Sequence, residues 1–188
     1  MLISEAQADV RRVYEGGFYG QLVSGAVWLV AAALGTWATE AAGIVTLMVG
    51  GALIFPLTTL ALKAAGQETA LSSGHPMAPL ATQIAFTVPV GLVVALGATA
   101  HRTDWFFPAA LLIVGAHYLP FVFLYGMRLF AALAAVMIFA GAGLGLWIEA
   151  PFATGGWLGA AALVVFAFLL RAKHHRTAPS ADGTTSGG

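Results

Sequence analysis

The stretch Trp105–Arg128, WFFPAALLIVGAHYLPFVFLYGMR, decides the fold class. Between Phe106 and Tyr125 it is apolar or aromatic except for His117. Some twenty such residues, rising 1.5 Å each as a helix, cross about 30 Å of hydrocarbon. The run lacks period-two alternation and is too long for a barrel strand, so it reads as a membrane helix. Pro120 has no backbone N–H to give to the carbonyl of Ala116, which predicts a disturbed helix beside His117.

Five further runs have the same character: Phe18–Ala38, Gly43–Leu62, Leu80–Ala100, Leu129–Trp147 and Trp157–Leu170, the last short and extendable from Phe152. The expected fold is therefore all-α, a six-transmembrane-helix bundle. Composition agrees: 60% of the 188 residues are hydrophobic and 9% are charged. A soluble domain of this size could not hide so much apolar surface, whereas lipid removes the need. Formal net charge is zero, which leaves no basic field for nucleic acid, and there is no cysteine for thiolate chemistry.

Ser4–Tyr14 reads as a short amphipathic helix at the membrane interface. Ser4 and Gln7 resemble a capping box, and Gly16-Gly17 supplies the stop. Ala6, Val10, Val13 and Tyr14 share one face; Glu5, Asp9 and Arg12 share the other. The N-terminus lacks the pattern of a cleaved signal peptide and is expected to be retained. The layout expected is an interfacial helix over 1–17, a membrane domain over 18–170, and a basic, then disordered, tail over 171–188. Small polar residues fill Thr177–Gly188.

Orientation follows from basic residues. Arg11, Arg12, Lys63, Arg128, Arg171, Lys173 and Arg176 fall on one side, Arg102 alone on the other. The excess marks the cytoplasmic face, so both termini are expected in the cytoplasm and the protein in the plasma membrane. Trp37, Trp105 and Trp147 then gather at the outer interface.

The candidate site centres on His117, which lies roughly 16 Å along its span from Phe106, near the bilayer midplane. An ionisable group there points to function. The bland alternative is a neutral histidine whose one hydrogen bond ties two helices. With Tyr118 it forms a candidate acid–base pair, and Asp104 and Glu15 are candidate proton donors. Tyr19, Gln21, Gln83, Trp105, Phe121, Tyr125 and Arg128 are candidate ligand-binding residues, because aromatic faces attract cations and pack against flat unsaturated chains. Arg128 could instead anchor the interface or pair with Glu15 or Asp9. Gln21–Gly35 aligns with Gln83–Gly97 as a weak parallel repeat, in which the two glutamines are equivalent. The histidines do not fall at metal-ligand spacing, and neither a metal nor a cofactor is expected.

Several segments resemble an uncharacterised family of small bacterial multi-pass membrane proteins: AQADVRRVYEGG (Ala6–Gly17), GQLVSGAVWL (Gly20–Leu29), GGALIFPL (Gly50–Leu57), WFFPA (Trp105–Ala109) and GAHYLPFVFLYGMR (Gly115–Arg128). That resemblance implies no activity and no catalytic residues. It departs at His117, where members resembling this chain carry arginine. Size and aromatic content are also similar to small membrane-bound bacterial terpene cyclases, without a shared motif.

Three functions fit these residues. The first is binding of an apolar, isoprenoid-type molecule in an aromatic intramembrane pocket, with acid-initiated cyclisation as its chemistry. The second is a small-solute carrier or channel; the third is a non-catalytic membrane partner. Membrane lipids are the expected surroundings, and a homo-oligomer is left open.

Overall fold

The computed structural model describes residues 1–177, and among these it is entirely helical apart from loops and turns. The helices are α1 (Ile3–Val13), α2 (Phe18–Trp37), α3 (Glu40–Ala64), α4 (Ala78–Ala98), α5 (Phe106–His117), α6 (Leu119–Tyr125), α7 (Leu129–Leu146) and α8 (Thr154–Thr177). With their short flanking turns they make six stretches long and apolar enough to cross a membrane. α5 and α6 together form the fourth of these. The break between them falls at Tyr118, whose N–H reaches back to the Gly115 carbonyl at 3.1 Å. Pro120 therefore divides its span, whereas Pro56 and Pro89 lie inside continuous helices.

The spans form an incomplete ring. α3 packs on α2, α2 on α8, α8 on α7, α7 on α5 and α5 on α4, while α3 and α4 meet only weakly. Trp28, Phe106, Phe107, Phe130, Leu133, Met137 and Leu163 fill the centre with almost no exposure. Small residues let backbones approach where side chains do not have to interdigitate. Gly155 of α8 lies against the Phe107 backbone and Cβ, Gly156 against the Phe107 ring, and Gly159 directly on the Trp28 indole.

Two boundaries differ from expectation. α1 begins at Ile3, because Glu5 reaches back to accept from the Leu2 N–H at 2.7 Å; Ser4 sits in the first turn instead of capping it. α8 runs on to Thr177, so basic residues expected in a tail continue the last helix, and His174 packs against Gly16. The disorder expected of the polar end concerns residues 178–188, which lie outside the described residues. Glycine follows α1 as expected, but the left-handed stretch begins one residue earlier: Glu15, Gly16 and Gly17 adopt positive φ, at 49°, 61° and 90°.

The short N-terminal helix is present as expected and packs on the bundle. Ala6, Val10 and Val13 are buried by the rest of the protein, so its apolar face is spent on the bundle rather than left for lipid. The repeat finds no common environment: Gln21 is buried in α2, while Gln83 is exposed on α4.

Candidate functional site

Where α3 and α4 part, a cavity of about 230 Å³ opens at the level of the membrane. Ser24 and Trp28 of α2 form its back. Leu47, Gly51, Ile54, Thr58 and Leu62 of α3 line one wall, and Ala85, Val88, Pro89 and Leu92 of α4 the other. Val114, His117, Tyr118, Phe121, Leu124 and Tyr125 complete it from α5 and α6, with Tyr14 and Thr69 at the end nearest α1. Among the described residues, no aspartate, glutamate, lysine or arginine lines it. The break at Tyr118 places His117, Tyr118, Phe121 and Tyr125 on one aromatic wall. His117 lies 5.0 Å from Phe121, which stacks on Tyr125 at 5.6 Å between ring centres.

His117 is tied to α4. Its Nδ1 lies 2.7 Å from Thr87 Oγ1, and that hydroxyl donates to the Ile84 carbonyl, also at 2.7 Å. A carbonyl only accepts, so the arrangement that satisfies all three groups has Thr87 donating to Ile84 and accepting from His117 Nδ1. In that arrangement the imidazole proton sits on Nδ1 and Nε2 is left as an acceptor. The interhelical tie and the cavity-lining position coexist in one residue. Tyr118 turns its hydroxyl toward Gln21 and Ser24 of α2. Gln21 Oε1 and Thr58 Oγ1 are buried without a hydrogen-bond partner among the described residues.

The residues expected to act together separate into three places. His117, Tyr118, Phe121 and Tyr125 line the cavity, with Gln21 behind Tyr118. Asp104 and Trp105 sit at the opposite end of the bundle, on a depression of about 160 Å³. There Asp104 takes two hydrogen bonds from Arg102, at 2.6 and 3.1 Å, and the Arg102 guanidinium lies over Trp105 at 5.8 Å. Asp104→Asn is expected to leave both melting temperature and ligand binding near those of the parent, because such exposed pairs contribute little. A large loss of either, measured in detergent, would restore a role for this carboxylate. Glu15, Tyr19 and Arg128 lie outside the cavity lining, and Gln83 is exposed on α4.

The end carrying α1 is built from polar contacts. Gln7 Nε2 and Arg11 Nη1 donate to the Phe123 and Tyr125 carbonyls, each at 2.6 Å. Arg12 bridges to Glu68 at 2.9 Å, and Asp9 lies 3.6 Å from His75 Nε2. Asp9 pairs with Arg12 at 3.8 Å and faces His75, and among the described residues it makes no ion pair with Arg128. Burial pushes the Tyr14 phenol above its usual range. Sequence reasoning missed Thr87, Thr58 and Thr69; hydroxyls in or beside apolar spans were the available signal.

Residues 3–173 match a family of unknown function, DUF7010. The chain belongs to this family. The match agrees with the resemblance to an uncharacterised membrane-protein family, while no curated protein and no solved structure matches. Membership assigns no chemistry, so the family's site in this chain has to be argued from geometry.

Proposed function

We propose that this membrane protein takes a neutral, apolar molecule of isoprenoid type from the bilayer and holds it between α3 and α4. The observation that carries this reading is the aromatic-walled cavity at the one weak seam of the helix ring. Charged ligands are disfavoured there, because no charged side chain lines the cavity to offset their desolvation. Flat unsaturated chains suit the rings of Trp28, Tyr118, Phe121 and Tyr125. At about 230 Å³ the space exceeds the ~150 Å³ apolar cavity that admits benzene, which fits a ligand of ~10–15 carbons. The charge count supports a cytoplasmic α1 end, and on that reading the polar end of the seam faces the inner half of the plasma membrane. Binding, rather than acid-initiated cyclisation, is the activity favoured, since Glu15 and Asp104 do not line the cavity.

The test uses a photoreactive prenyl alcohol added to the protein in nanodiscs. Cross-links are expected on α3 and α4 peptides facing the cavity. Ala52 and Ala85 are exposed and line it from opposite walls. Ala52→Trp with Ala85→Trp is expected to cut labelling at least ~10-fold by filling the mouth without disturbing the core. Labelling that is unchanged in this variant, or that maps to peptides outside the cavity lining, would sink the reading.

A further inference from the structure

We infer that the ligand is an alcohol, its hydroxyl held between His117 and Thr58 across the cavity; this rests on the binding role proposed above. The inference starts from the proton on His117. The arrangement that satisfies Thr87 and Ile84 together assigns that proton to Nδ1, and neither Thr87 nor Ile84 lines the cavity. The two nitrogens of an imidazole point in nearly opposite directions. A ring that lines the cavity while bonding Nδ1 away from it turns Nε2, a bare acceptor, toward the occupant.

The second group comes from the opposite wall. Thr58 lines the cavity, and its Oγ1 is buried without a partner among the described residues. Buried hydroxyls are almost always satisfied, by protein, water or ligand. The two groups also share a level. At 1.5 Å per residue, Thr58 lies about 9 Å from the α3 end at Ala64, and His117 about 12 Å from the α6 end at Tyr125. Both ends face α1. An occupant's hydroxyl can donate to Nε2 and accept from Thr58, which satisfies both groups. An ether or ester cannot donate to Nε2, and a carboxylate would bring an uncompensated charge beside an acceptor.

The experiment is saturation binding to the unmodified protein in detergent micelles, corrected for partition into empty micelles. The probes are geraniol, its methyl ether and geranate. Geraniol is expected to bind at least ~10-fold more tightly than either analogue, the range expected when a buried polar pair is left unmade. His117→Phe is expected to bring geraniol down to the affinity of the ether and leave the ether unchanged. Thr58→Val should act in the same direction. If all three probes bind alike, the cavity remains a binding site but the alcohol assignment falls. If geranate or the ether binds more tightly, the assignment is likewise wrong. If none binds, the binding role falls with it. The comparison of probes on the unmodified chain keeps the test decisive even where a variant fails to fold.

Discussion

Gly159→Ala is expected to lower the melting temperature of the detergent-solubilised protein, whereas Gly97→Ala should hold or raise it. Both glycines lie within helices, so intrinsic propensity favours alanine at each by up to about 1 kcal/mol. Their surroundings set the sign. A Cβ on Gly97 meets nothing within 4 Å, while one on Gly159 would overlap the Trp28 indole. Trp28 cannot readily move aside. It is 2% exposed and packs on Phe107, with ring centres 6.1 Å apart. Overpacking a filled interior costs about 1–3 kcal/mol, enough to reverse the propensity gain. Gly159→Leu should yield little folded protein. Equal melting of the two alanine variants would mean that α2 and α8 are not pressed together at this point.

The same contact shows where sequence reading stops. Span lengths were legible because a bilayer imposes them, and every expected run corresponds to a helix. The stop at Gly16-Gly17 and the break beside Pro120 were legible because backbone chemistry is local. Which face each span buries was not. Lipid is as apolar as the protein interior, so spans such as α3 and α7 carry hydrophobic residues all round and show no stripe to read. The seam between α3 and α4 was hidden for that reason. So was the partner of His117: Thr87 lies thirty residues away in sequence, and nothing in either segment names the other. Tyr118, Phe121 and Tyr125 were found because they share one short helical turn region with His117, whereas Asp104 and Glu15 were grouped with them only by chemical type. What α1 packs against was hidden for a related reason. Its amphipathic pattern reports that one face is buried but not whether lipid or protein buries it.

Arg11→Ala combined with Gln7→Ala is expected to undock α1 from the bundle and loosen the cavity end beneath it. The last carbonyls of a helix have no intrahelical donor. At the end of α6, Phe123 and Tyr125 receive theirs from Gln7 and Arg11. Gly126 makes this approach feasible, with φ at 64°, and a Cβ there would stand 2.5 Å from Gln7 Oε1. The bond from arginine is charge-assisted and the other neutral. Together they contribute about 2–4 kcal/mol before water replaces them. Since ~1.4 kcal/mol is a factor of ten, amide exchange in α1 should speed up at least ~10-fold. Arg12→Ala serves as the control. Its bridge to Glu68 joins side chains that are 60% and 59% exposed, so little change in protection is expected. The consequence for the site follows from chain continuity. Tyr14 comes directly after α1 and lines the cavity, so releasing the helix withdraws that ring and lets a bound ligand leave faster. Unaltered exchange in the double variant would show that Ala6, Val10 and Val13 hold α1 in place by apolar packing alone, with the two polar bonds contributing only alignment.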